Sequence, residues 1–260
     1  MSGPSFRLAV RLRLLPTGLT ALSMLLMILV VGALFPAVGG SIGRLDLPEG
    51  VTELLGGADY GTIAGWMRSD VAAVYGPLVI AAAAITAAAG STAGEEEDRI
   101  LALVLAHPVQ RSSLVLAKGA AVAVGVCVVA FGTWLGLLAG VAVGGGGISI
   151  GHMAALALHL AFLGFATGAL ALAIAAATGR RAVAVGGAAG FALFGFLVNG
   201  FAPLIDALDW LKYLSPFHYY AGNDPLGNGA DLSDLGVLAA ACIALTAFAV
   251  VAIRRRDLRG

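Results

Sequence analysis

Charge is scarce in this sequence. Aspartate, glutamate, lysine and arginine make up 12% of its 260 residues against 60% hydrophobic ones, and the mean hydropathy is positive. A soluble domain carries about twice that charge, so the composition excludes one and points to a membrane protein. Cysteine is also rare. Cys127 and Cys242 both fall in apolar runs, which excludes a disulfide framework and leaves no metal site. Nor is there a Gly-Lys-Ser/Thr phosphate loop, because the lysines are followed by Gly119 and Tyr213. If the chain pumps, another subunit supplies the energy.

Charge-free runs cover 14–43, 71–94, 119–179, 182–205 and 235–253. Each reaches the roughly 20 residues a spanning helix needs. The longest is broken by Gly144-Gly145-Gly146-Gly147, a poor choice for the middle of a span. Six helices are therefore predicted, at about 17–38, 71–93, 113–143, 152–178, 182–204 and 235–253. Continuous apolar runs argue against a transmembrane barrel, whose strands alternate. These predicted spans contain no acid, Lys118 lies near a cytoplasmic end, and Asn199 is the most polar deep side chain apart from His159, so the parts of an ion relay are lacking.

Basic residues gather in cytoplasmic loops. With both termini inside, twelve of the fifteen are cytoplasmic, and only Arg44, Arg68 and Lys212 are external. The first apolar run is about as long as a span and lacks a small-residue cleavage site, so no cleavable signal peptide is expected. Residues 1–16 suit a helix on the inner leaflet, stopped by Pro16, although Arg7 and Arg11 could equally serve only to set topology.

Two short patterns tempt other readings. Gly147-Ile148-Ser149-Ile150-Gly151 matches the nucleophile-elbow spacing, but it sits in a glycine-rich external connection and not on a strand-turn-helix. His152 and His159 could share a helix face, yet no carboxylate or thiol accompanies them, so packing is favoured over metal binding.

Residues 94–111, GEEEDRILALVLAHPVQR, stand apart. Four consecutive acids open the segment on the side that prefers bases, an apolar turn follows, and Pro108 ends it before Arg111. Acids at the start favour a helix there. The build is that of a docking element: Glu95, Glu96, Glu97 and Arg99 supply charge and Leu105, His107, Pro108 and Arg111 its far end. An ordinary loop does not explain the acid run.

This stretch resembles the first cytoplasmic loop of ABC-2 type exporter permeases. The matching residues are Gly94-Glu95-Glu96, Leu101 to Leu105, Pro108-Val109-Gln110-Arg111 and Lys118. Leu214-Ser215-Pro216-Phe217-His218-Tyr219-Tyr220 is similar to the family's segment before the last helix, and Arg254-Arg255-Arg256-Asp257-Leu258 to its cytoplasmic end. The resemblance implies an all-α polytopic permease, one transmembrane domain over 1–260 with six helices and cytoplasmic N and C termini. It implies an interfacial helix at 1–16, a coupling helix within 94–111 between helices 2 and 3, and a re-entrant external segment at 205–234 before helix 6.

The external segment's apolar content suits short helices dipping into the outer leaflet, with a plain aromatic belt as the alternative. By the resemblance, Ser215, Pro216, Phe217, Tyr219 and Tyr220 would form an external gate. Two cytoplasmic ABC ATPase subunits would bind ATP and Mg, leaving this chain without a cofactor or an enzymatic activity of its own. A second permease half, identical or paralogous, would complete a path lined by helices 2 and 5. Its candidate lining is Thr86, Ser91, Phe191, Phe194 and Asn199, uncharged residues that favour a hydrophobic or amphipathic cargo such as a drug, antibiotic or lipid. The expected surroundings are membrane lipid in a bacterial cytoplasmic membrane, with no nucleic acid partner. The alternative function is a membrane scaffold or intramembrane enzyme.

Overall fold

In the computed structural model the described residues are 7, 9–11, 13–42, 60–97 and 110–256. Residues 7 and 9–11 are helical, and a turn follows in which the Arg13 N–H donates to the Val10 carbonyl. Six long helices come next: α1 (Leu14–Ile42), α2 (Ile63–Glu97), α3 (Arg111–Val143), α4 (Ile150–Thr178), α5 (Arg181–Phe201) and α8 (Leu232–Arg255). All six contain a stretch long and apolar enough to cross a membrane. Between α5 and α8 lie two 3-10 turns, Ala202–Leu204 and Asp206–Leu214, and the short helices α6 (Pro216–Ala221) and α7 (Pro225–Asn228).

Two boundaries differ from expectation. Pro16 does not stop the N-terminal segment; it sits in the first turn of α1, where a missing N–H leaves no bond unmade. Helix α2 is longer than its charge-free run and takes in Asp70 at one end and Glu95–Glu97 at the other. Its 35 residues span about 52 Å at 1.5 Å each, far beyond a hydrocarbon layer of roughly 30 Å. The charged ends therefore project beyond the apolar layer.

Helix α4 is the hub. It packs against α2, α3, α5 and α8, and most of its apolar stretch is buried. Small residues permit this crowding in lipid: a Cβ on Gly164 would meet the Val126 side chain at 2.8 Å. Ser149 starts α4 by accepting the His152 N–H, so the serine of the elbow-like pattern is a helix cap. Ahead of it Gly145, Gly146 and Gly147 all adopt positive φ, a conformation that side chains resist.

The main partner of α1 is α3, through a seam of glycines four residues apart. Added Cβ atoms would meet Ala21 O at 2.8 Å from Gly132, Leu25 Cα at 2.9 Å from Gly136 and Ile28 O at 2.6 Å from Gly140. Backbone cannot yield as a side-chain tip can. Gly186 and Gly190 of α5 face open space instead, with nothing within 4 Å. We expect Gly140→Val to lower the stability of the purified protein by about 1–3 kcal/mol, the usual cost of overpacking, read as a fall in thermal midpoint. Gly190→Val should leave the isolated chain's midpoint unchanged. Equal midpoints for wild type and Gly140→Val would refute the seam.

Candidate coupling site and outer gate

One end of the bundle gathers residues from five parts of the chain. The Lys118 ammonium of α3 lies 2.7 Å from Glu95 Oε2, with its side chain only 5% exposed. The Arg256 guanidinium donates to Glu96, whose side chain is 3% exposed. Glu97 Oε1 accepts the Arg181 backbone N–H at 2.9 Å, at the start of α5. Arg111 Nη1 in turn donates to the Arg256 carbonyl at 3.0 Å. The last turn of α2 is thus fastened to α3, α5 and the end of α8.

Local sequence explains why Glu96 meets Arg256. Helix α4 ends at Gly179 in the left-handed conformation, φ +62°, and a Cβ there would overlap the Arg256 guanidinium. Glycine both closes the helix and admits the arginine. In α2 a π-helical stretch, Gly90–Gly94, directly precedes the acids. Ser91 and Thr92 hydroxyls both donate to the Ala88 carbonyl, a competition with the backbone ladder that suits an irregular turn. Arg13 completes the environment; burial lowers its pKa and Glu95 acts against that shift.

Of the residues expected to couple, Glu95, Glu96, Glu97 and Arg111 are thereby brought together. Arg99, Leu105, His107 and Pro108 lie outside the described residues. Lys118, part of the family resemblance of this stretch, joins the site as a partner of Glu95, and Arg181 and Arg256 join it from elsewhere in the chain. Their separation of 23, 84 and 160 residues from their partners gave no local signal.

At the opposite end the 205–234 segment is pinned to three long helices. Pro77 lacks the N–H that would continue an α-helical ladder, and α2 passes through a π-helical stretch, Arg68–Tyr75, just before it. There the Gly76 N–H donates to Val71 O and so leaves Ala72 O without its usual helical donor. The Tyr220 hydroxyl donates to Ala72 O at 2.7 Å. Burial holds that phenol protonated well above its ordinary range. Tyr220 is also held from α4. Asp231 N–H donates to His159 Nε2 at 3.2 Å, which leaves Nδ1 to carry the proton toward Tyr220 O at 3.2 Å. To α5, Ser215 Oγ donates to Gly195 O at 2.8 Å and accepts the Phe217 N–H. Phe217 is buried edge-on to Phe196. Pro216 takes the first turn of α6, and the Tyr219 hydroxyl donates to Tyr213 O. An ion pair at 2.5 Å between Arg68 and Asp224 adds a further tie to α2.

The five path candidates do not line one cavity. Thr86 lines a groove of about 420 Å³ between α1, α2 and α3. Phe191 lines another, about 350 Å³, together with Ser215, Pro216 and Tyr219. Ser91 is buried, Phe194 is exposed on α5, and Asn199 is half-buried. Among the described residues no group of acids, cysteines and histidines is placed to hold a metal ion.

Comparison with known families adds one finding. The family described as ABC-2 family transporter protein matches residues 6–258, nearly the whole chain, and the protein belongs to that family. It is a multi-pass membrane protein and a transport permease. No curated protein matches the chain.

His218 lies at the same end as Tyr220, and its titration is shifted by its surroundings. Burial, the largest cause, lowers its pKa; Asp234 acts upward and Lys212 downward. A histidine depressed in the folded state adds stability that is complete above its unfolded value, about 6.5, and lost as pH falls through the folded one. The thermal midpoint of the wild type should therefore fall more than that of His218→Phe as pH drops below about 6.5. Identical pH profiles would show that His218 does not contribute.

Proposed function

We propose that this ABC-2 permease is the membrane-spanning subunit of an ATP-driven exporter for a hydrophobic or amphipathic substrate. Two cytoplasmic ABC ATPase subunits bind ATP and Mg, and a second permease half, identical or paralogous, completes the path. The Glu95 end of the bundle faces the cytoplasm of a bacterial cell, in agreement with the distribution of basic residues. Residues 94–111 form the coupling element that seats on the ATPase, and the segment ahead of α1 lies along the inner leaflet.

The observation that carries this reading is the fastening of Glu95, Glu96 and Glu97 to Lys118, Arg256 and Arg181. A displacement of the segment that leaves α2 at Glu97 is delivered at once to α3, α5 and α8. The acids are thus mainly internal struts. Contact with the ATPase falls to the segment beyond them and to the exposed side of Arg111. Arg68–Tyr75, the π-helical part of the same α2, carries the motion to Tyr220 and the outer segment. That segment acts as a re-entrant gate. The open apolar face of α5, with Phe191, Phe194 and Leu197 exposed, fits a seam with the second half. Thr86, Ser91 and Asn199 would join those phenylalanines along a path that only the paired halves enclose.

The partner and the coupling are tested together. Purified from its native membrane, the chain should bring down two copies of an ABC ATPase, and Arg111→Glu should abolish substrate-stimulated ATP turnover. The same variant should still fold, with a thermal midpoint lowered only by the loss of one surface hydrogen bond to the Arg256 carbonyl, about 1 kcal/mol. A purified complex without an ATPase would overturn the reading. Normal stimulated turnover in Arg111→Glu would remove Arg111 from the coupling.

A further inference from the structure

The groove of about 420 Å³ lined by Thr86 has two arginines at its charged end, Arg13 from the turn before α1 and Arg181 from the start of α5. Among the described residues neither guanidinium is paired with a carboxylate or hydrogen-bonded; Arg13 feels Glu95 only from a distance. No acid lines the groove. Thr17 and Thr20 of α1 and Thr86 of α2 also line it, and the rest of the wall is largely apolar, reaching Ile80 and Val129. From Gly90 to Ile80 the groove follows ten residues of α2, about 15 Å of helix. That is roughly half of a hydrocarbon layer. The cleft thus has a cationic mouth at the level of the helix ends and an apolar slot one leaflet deep.

We infer that this groove holds an anionic phospholipid of the adjoining leaflet, with its phosphate between Arg13 and Arg181 and an acyl chain along α2 and α3. Both halves of the ligand find a match. Two cations on one groove that no acid lines favour a phosphate over a zwitterionic headgroup, whose own cation would be repelled. The apolar slot excludes a free phosphate as the whole ligand, because an anion alone would leave it unfilled. Arg13, half-buried, gains a partner that Glu95 supplies only in part. Arg181 is free to serve because Glu97 binds only its backbone N–H.

Native mass spectrometry of the purified full-length protein tests this with phosphatidylglycerol and phosphatidylcholine of the same acyl chains. Wild type should retain the anionic lipid at least about tenfold better, the size expected for two arginines near an anionic headgroup. Arg13→Gln/Arg181→Gln should lose that preference. Arg13→Lys/Arg181→Lys should keep much of it, which guards against a folding defect, and Arg254→Gln at the same end should keep all of it. Thr86→Trp, which fills the slot, should lower binding of both lipids. Equal retention of the two lipids by wild type, or an unchanged preference in the double glutamine variant, would overturn the site. Complete displacement of the lipid by millimolar inorganic phosphate would also overturn it, by showing a small-anion site instead.

Discussion

The buried ion pair between Glu96 and Arg256 is the constraint on which the rest of the bundle depends. Removing a charge from water is costly, and the cost is recovered only if the partner and further hydrogen bonds are in place. Those conditions fix several other features. Glycine is required at 179 to admit the guanidinium, α8 must end at Arg255 so that Arg256 turns inward, and Arg111 reaches the same residue's carbonyl. Beside it the Glu95–Lys118 pair places a buried cation under the same rule. Replacing either pair by apolar residues could give an equally stable bundle. A charge network is better explained here by position than by stability, because each acid reaches a different helix.

Helix α2 links the two ends of the molecule. It departs from regular α-helix twice, next to the acids and next to the outer segment, and each departure frees or occupies a carbonyl that a regular helix would use. At the outer end the freed Ala72 carbonyl is taken by Tyr220, 148 residues away in sequence. The 205–234 segment is therefore fastened to the same helix that carries Glu95, Glu96 and Glu97 at its other end. Irregular turns of this kind are frequent at functional sites, and the proposed coupling would use both.

Much of the architecture was legible in the sequence. Charge-free runs gave the number and order of the long helices, and the four glycines at 144–147 marked the break between α3 and α4. The α2 boundaries were not legible, because Asp70 and Glu95 read as ends of a span although the helix simply outgrows the apolar layer. The run of acids was visible, but its partners were not, since Lys118, Arg181 and Arg256 become neighbours only when the helices pack. His159 likewise looked like a lone polar residue. Its bonds to Tyr220 and Asp231 depend on how the 205–234 segment folds back. The glycine seam on α3 is legible from its four-residue spacing, but its partner α1 is not, because only packing brings Ala21, Leu25 and Ile28 against it.

A double-mutant cycle at Glu96 and Arg256 on substrate-stimulated ATP turnover in the assembled complex tests the central claim most directly. Residues that act as one unit give non-additive losses. The account predicts that Glu96→Gln and Arg256→Gln each reduce the stimulation and that the double variant is no worse than either one. Additive losses, or full stimulation in both single variants, would contradict a role for this pair in transmitting ATP hydrolysis to the helices.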